Sequence, residues 1–552
     1  MPQKLTRKRL KLVGTKAAPE PSEALPQVSA KSRYTQLQTE REPYLYRGRE
    51  AAALTIPSLL TPEGSSGSTT LPQPWQSVGA EGVNNLASKL MLVLFPPGGT
   101  FFRIMVDDFK MDELAAEMAA GGEEMKDVKG EFEEAFGKIE RSVVQRLEQR
   151  GARMQLFETC KQLITTGNGL IQVLPDEKLK LHKLDRYVVK RDQQGSAVEM
   201  VVKETVAKST LSAELRQIVD ENPSTDKAPD KPEESVDIYT HLTRKEGQWS
   251  IRQEIHGKTV PGSEGQQPVE KCAWIPLRFI SVDGEDYGRG FVEENIGALR
   301  SYDSLEQSLV EGAAIASRVI FLVDEGGVTS KKALVEAPNG GMVDGRRKDV
   351  ETLQVEKFND MQVAQAKSMD IKKDLQRAFL LFSGAQRNAE RVTAEEVRYI
   401  VQELESTFGG VYSVQATELQ FPLANRYLHQ MTVRKELPAL PEGVTSIQII
   451  TGLAGLGRSS DLTKLDLLLQ GTAAIFGPEA VSEYVPVGAY LQRRATALSI
   501  DITGVVRSEE QVTKARQEKM SMELAKSAIG PMAKLSEAQQ GAPSGQPPQE
   551  GV

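Results

Sequence analysis

The chain has 552 residues, 68 Lys plus Arg against 76 Asp plus Glu, a formal net charge of -8 and two cysteines. At about 150 residues per domain, that length accommodates three or four units or one large elaborated one. With 39% apolar and 26% charged residues, the composition is that of a folded soluble chain and excludes disordered, collagenous and disulfide-built classes. The acidic balance argues against a protein that coats nucleic acid through a basic surface.

Residues 1–30 alternate basic residues with Ala, Pro and Ser and read as a mobile basic arm. MPQKLTRKRLKLVG lacks the apolar core of a secretory signal. The least polar stretch, residues 90–102, is short and broken by Pro96, Pro97, Gly98 and Gly99, so a cytosolic chain without a membrane role is expected. Helical spacing runs from Tyr34 to Arg49 and again from Val83 to Leu94. Phe132, Phe136, Ile139, Val143 and Leu147 then place one apolar face on a further helix.

Between 169 and 282 the period changes to two, in LIQVL, RYVVKR, AVEMVVKE, VDIYTHL, WSIRQEI and WIPLRFI. QQGS and KEGQ read as hairpin turns within this β-rich unit, and Asp220 to Ser235 reads as an exposed insertion. A helix from Gly290 to Arg318 and another carrying Phe358, Met361, Ala364, Ile371, Leu375, Ala378 and Phe382 bracket a Gly-containing module at 319–357. Thr393 and Glu396 form a capping box before a helix that meets Gly409 and Gly410, where a kink or break is expected. The chain is helical again past 460 and ends in a Gly, Pro and Gln tail too polar to order itself.

Chemistry is sparse. Cys160 and Cys272 are too far apart for a metal or redox motif and are expected as buried free thiols. His182, His241, His256 and His429 show no metal-ligand spacing; His241 and His256 are expected as a pair of surface histidines across a hairpin. The doublets Glu123-Glu124 and Glu395-Glu396 read as solvated helix faces. The sharpest enzymatic reading is a P-loop-like NTPase: GLAGLGRS (Gly452 to Ser459) follows an apolar run, and IFLVDE (Ile320 to Glu325) resembles a magnesium-holding strand end. Arg458 stands where the motif needs Lys, and the aspartate strand precedes the loop rather than following it, so a plain Gly-rich turn is favoured.

Three blocks carry a resemblance. TIPSLL with PWQSVGAEGVNNLASKLMLVLFPP, DGEDYGRGFVEENIGALRSYDSLEQ, and AQRNAERVTAEEVRYIVQELESTFGGVYSVQATELQFPL together resemble the portal, or head-to-tail connector, proteins of short-tailed, podovirus-type bacteriophages. The likeness spans roughly residues 30–500. It implies an α+β, mainly helical portal fold, with long stem helices, a mixed α/β wing, a small clip and a helical crown. The expected parts are wing at 31–282 and 393–460, first stem helix at 283–318, clip at 319–357, second stem helix at 358–383, tunnel loop at 384–392, crown at 461–533 and a disordered tail at 534–552.

By the same resemblance the chain is no enzyme, uses no cofactor, and forms a ring of about twelve copies at one capsid vertex of the virion. Double-stranded DNA, bound non-specifically, passes through it. The implied partners are the terminase large subunit, tail adaptor proteins, and major capsid, scaffold and internal core proteins. The other structural reading is a general capsid or scaffold component. Arg387 and Arg391 in the tunnel loop are candidate DNA-facing cations, or else members of intersubunit ion pairs. Lys331, Lys332, Arg346, Arg347 and Lys348 in the clip are candidates for DNA phosphates or acidic partners, or else a solvated turn. A mainly acidic wall with sparse basic rings is expected to let a duplex slide.

Overall fold

The computed structural model describes residues 28–65, 67–96, 99–106, 128–221, 235–317, 320–353, 358–381, 410–438, 445–450 and 465–477, with scattered residues in 402–408 and 485–522. The basic arm up to residue 27, Glu123-Glu124, most of the Asp220 to Ser235 insertion, Thr393 with Glu395 and Glu396, the Gly452 to Ser459 loop and the tail at 534–552 lie outside the described residues, as do Arg387 and Arg391.

Eleven α-helices are named here: α1 Ala30–Ala53, α2 Val78–Leu94, α3 Val128–Gln149, α4 Ala152–Thr166, α5 Ala213–Glu221, α6 Phe291–Glu294, α7 Ile296–Ala316, α8 Lys331–Glu336, α9 Phe358–Ala378, α10 Val411–Gln415 and α11 Phe421–Val433. The strands are β1 Phe102–Val106, β2 Asn168–Val173, β3 Leu179–His182, β4 Tyr187–Arg191, β5 Ala197–Ala207, β6 Ser235–Lys245, β7 Gln248–Ile255, β8 Lys258–Thr259, β9 Gly265–Pro268, β10 Trp274–Arg278, β11 Ile320–Val323, β12 Val350–Leu353 and β13 Thr445–Ile449. Helix also covers 465–476.

The period-two segments form two antiparallel sheets. One runs β4-β5-β6-β7-β8 with β9 also paired to β7; the other is β10-β2-β3. QQGS and KEGQ do turn their hairpins, with Gly195 and Gly247 taking the left-handed backbone such tight connections need. Helix α1 lies across the larger sheet through Tyr34 and Leu37, packed on Val188, Val201 and Tyr239. Its Arg41 is buried, donating to the Tyr34 hydroxyl at 2.9 Å and to the carbonyls of Asp185 and Tyr187 at 3.0 Å. Carbonyl partners make this burial tolerable, since a guanidinium without them would be costly.

The helical core gathers α2, α3, α4, α10 and α11 around β1, β2 and β10. Phe136, Ile139, Val143 and Leu147 bury the apolar face expected of α3. Both cysteines are buried free thiols; burial pushes Cys160 up to about 12 and Cys272 up to about 11, which suppresses thiolate reactivity. Helix α4 ends at Gly167, whose φ of 75° and 2.3 Å clearance for a Cβ against the Arg289 carbonyl carbon admit no side chain. Asn168 exchanges two hydrogen bonds with Gly288 there, at 2.8 and 2.7 Å, which seats the DYGRG segment and aims the start of α6 and α7.

Helix α10 starts at Val411 with Gly410 as its N-cap residue, in keeping with the kink or break expected at the glycines, and a π-helical turn follows at Ala416–Gln420. Three expectations are corrected. Helix α5 interrupts the β-rich unit and takes in Asp220 and Glu221, the first two residues of the stretch read as insertion. Helix α9 ends at Ala378, before Phe382. His241 is buried and faces Arg252 across the ladder, while His256 sits in the turn after β7, so the two are not a surface pair.

Candidate functional site

Helices α7 and α9 pack along one another as a pair. Leu299 and Tyr302 bury its base, Ser368 donates to the Glu306 carboxylate midway, and near the far end Met361 closes on Gly312. Val310, Ile315, Val363 and Met369 are half or more exposed on the single chain. Long helices that carry such residues outward present faces suited to further burial. Helix α7 carries Arg300 against Asp303, Glu306 and Glu311; α9 carries Lys367, Lys372, Lys373 and Arg377 against Asp360, Asp370 and Asp374.

The base is held by aromatic edges. Phe291 meets Phe379 at 5.8 Å and Phe408 at 5.0 Å, and Phe279 meets Phe408 at 5.5 Å. Gly82 on α2 lets Phe379 approach so closely that a Cβ would stand 2.4 Å from its ring. Beyond Ala378 the chain turns through Leu380 at φ 55°, and Leu381 N–H reaches back to the Gln376 carbonyl at 2.8 Å. Those last carbonyls are also met from α2: Asn85 donates to Phe379 O and Leu380 O, and Lys89 to Leu380 O, all at 3.0 Å.

The unit joining the two helices is the antiparallel pair β11 and β12 with the short helix α8. Its loops are organised by Asp349, whose Oδ2 accepts from Val328 N–H at 2.8 Å, Thr329 N–H at 3.2 Å and Thr329 Oγ1 at 3.0 Å. These bonds and the nearby Arg346 hold its carboxyl below the usual range against the opposing effect of desolvation, which is the largest single influence. Lys331, Lys332, Arg346, Arg347 and Lys348 all project to solvent from this unit. They are not a basic patch by count, since 320–353 holds five basic and six acidic residues. Val328, Val335 and Met342 are exposed beside them.

The nucleotide-site reading loses its geometry. Asp324 accepts the Gly326 N–H at 3.1 Å and so closes its own turn, and Glu325 is almost fully exposed. Strand β11 belongs to a two-stranded sheet with β12, whereas β13, which precedes the Gly452 to Ser459 loop, pairs antiparallel with β1 in another. A phosphate-binding loop and its aspartate strand belong to one parallel sheet, whereas the strands that flank these two motifs lie in separate antiparallel pairs; the loop itself lies outside the described residues.

Sequence reasoning missed two charge clusters, one fully and one partly buried. Glu418, on the π-helical turn, lies between Arg278 and Arg191, and Arg191 also donates to the carbonyls of Asp286 and Pro276. Glu177 is fully buried at φ 68° among Arg146, Arg150 and Arg434 at 3.6, 3.3 and 2.8 Å. A left-handed Glu after Pro175-Asp176 is compatible with a turn, but nothing local names its arginines. These clusters tie the β-rich part to the helical part.

The bacteriophage head to tail connecting protein family matches residues 27–506. The chain belongs to that family. Among its relatives, the portal protein of Escherichia phage T7 is 38% identical over 90% of this chain and 90% of its own length. The portal protein of Enterobacteria phage T3 is 37% identical over 87% and 89%, and that of Pseudomonas phage phiKMV 32% over 80% and 84%. A solved neck of an empty GTA particle matches this connector with a TM-score of 0.37 and 12% identity, over 74% of this chain and 89% of that one; at that level the likeness carries no argument.

Proposed function

We propose that the chain is a portal: a closed ring of about twelve copies at one capsid vertex, through which double-stranded DNA enters during packaging and leaves at ejection. The family match across 27–506 is the observation that carries this reading. In it, α7 and α9 are stem walls and the β11, β12 and α8 unit is the clip. The clip receives the terminase large subunit and later the tail adaptor proteins, and the outer parts meet capsid, scaffold and internal core proteins. The chain performs no catalysis in this role and needs no cofactor.

The exposed apolar residues of α7 and α9 support a ring in which each pair packs against the next copy, a head-to-tail contact that closes by geometry. The excess of acidic residues on α7 suits sliding rather than gripping, and the cations of α9 supply sparse phosphate contacts. Arg387 and Arg391, nine and thirteen residues beyond Ala378 in sequence, are the cations this reading assigns to a collar of positive charge. The exposed clip residues Lys331, Lys332, Arg346, Arg347 and Lys348, with Val328, Val335 and Met342 beside them, suit a protein partner bearing both acidic and apolar groups. Assembly takes place in the host cytoplasm.

Negative-stain imaging of the purified chain, combined with an ATP-turnover assay, tests the reading. Closed rings without turnover are expected; monomers that hydrolyse ATP would overturn it.

A further inference from the structure

We infer that the pair of α7 and α9 carries two different docking faces, one with Val310 and Met369 and the other with Ile315 and Val363, and that the first face of each copy docks on the second face of the next. This deepens the ring reading above and rests on it. At about 3.6 residues per turn, Val310 and Ile315 stand about 140° apart around α7, and Val363 and Met369 about 120° apart around α9. The four exposed apolar residues therefore do not make one patch.

The contacts that hold the pair together set where each residue falls. Gly312 meets Met361 and Glu306 meets Ser368, so the helices run antiparallel with these residues turned inward. Counted at about 100° per residue from those contacts, Val310 and Met369 turn to one side of the pair and Ile315 and Val363 to the other. The same count puts Asp303 and Lys372 on the first face, and Lys367 and Asp374 on the second.

Among the described residues Lys367 and Lys372 have no ion-pair partner, while Lys373 and Arg377 pair with Asp370 and Asp374 at 4.0 and 3.7 Å. Docking one face on the other brings apolar centres together, Asp303 towards the next copy's Lys367, and Lys372 towards the next copy's Asp374. Opposite charges then flank the apolar centre and fix its register. A two-fold contact would cover one face and leave the other open. A head-to-tail contact covers both faces on every copy and closes into a ring.

Cysteine linking on the full-length chain tests this, since the native Cys160 and Cys272 are buried. The contacts Gly312 to Met361 and Glu306 to Ser368 place Val310 and Val363 at nearly one height along the pair. Val310→Cys combined with Val363→Cys, treated with a short bis-maleimide, is expected to give a covalent ladder extending past the dimer on a denaturing gel. Either single variant is expected to stay unlinked. Covalent dimers from a single variant would show a two-fold contact and overturn the inference, as would a double variant that forms rings by mass photometry yet does not link. Should the unsubstituted chain stay monomeric, the ring reading itself fails, whereas rings without the ladder sink the face assignment alone. If the cysteine pair prevents assembly, charge reversal decides: Lys372→Glu is expected to cut ring yield about tenfold at low salt, and adding Asp374→Lys to restore it. An unchanged yield in Lys372→Glu, or no recovery in the double reversal, counts against the proposed faces.

Discussion

Glu418 holds Arg278 at three points: Oε1 accepts from Nε at 2.9 Å and Nη2 at 2.5 Å, and Oε2 accepts from the Arg278 backbone N–H at 2.8 Å. Arg191 approaches the same carboxylate at 3.4 Å, so one partly buried anion ties β10 and the end of β4 to the π-helical turn. Removing the anion leaves two buried guanidinium groups facing each other. Glu418→Gln is therefore expected to destabilise the fold by about 3 kcal/mol in denaturant unfolding. A loss below about 1 kcal/mol would place the cluster with ordinary surface pairs.

Acid sensitivity follows from two groups with separate windows. Glu199 accepts from Arg33 at 2.7 Å and His241 at 2.8 Å; burial opposes its ionisation, but those bonds prevail and hold its carboxyl at about 2. Burial holds the His182 imidazole at about 4, below its ordinary 6.5. Both folded values lie below the unfolded ones, so the unfolded chain binds more protons and stability falls as pH falls. His182 contributes between pH 6.5 and 4, Glu199 between 4.5 and 2. Unfolding measured across pH is expected to show the lower slope flattened in Glu199→Gln, with the upper slope kept.

Gly82 gives a steric prediction. Its Cβ would meet three atoms of Phe379 at 2.4 to 2.8 Å, in a site already walled by Phe291. Gly82→Ala should cost about 1–3 kcal/mol of stability through overpacking, which outweighs the helix-propensity gain of about 1 kcal/mol. A rise in unfolding midpoint would contradict it.

The clip is predicted to be separable from ring closure. Asp349→Ala removes three acceptor bonds from the Val328–Thr329 turn while leaving α7 and α9 untouched. Rings are expected to form, with binding of the terminase or the tail adaptor reduced in pull-down with the purified ring. Charge reversal at Arg347 and Lys348, which the Asp349 bonds do not involve, should do the same without disturbing the turn. Loss of rings in either variant counts against the assignment.

Much of the fold was legible in the sequence because burial acts locally. Every period-two run from LIQVL to WIPLRFI became a strand, since alternation reports directly which face is covered. The two long helices and the module between them were equally plain. What stayed hidden were polar residues with distant partners. Arg41 is buried because its carbonyl acceptors come from residues more than 140 positions on; Glu418 and Arg278 are likewise 140 apart. No local period encodes such pairs. The π-helical turn was not legible because it depends on Gln415 and Gln420, which donate to the distant Arg278 O and Leu94 O at 2.7 and 2.6 Å around it. The five clip cations were legible as exposed charges. Which of them face a duplex depends on neighbouring copies, and that is not written in one chain.

Cryo-electron microscopy of the purified full chain tests the central claim most directly. The account predicts closed rings with an axial channel whose wall is built from residues 296–316 and 358–378 of successive copies, their exposed apolar residues buried between copies. Open filaments, monomers, or rings that carry those helices on the outer rim would contradict it.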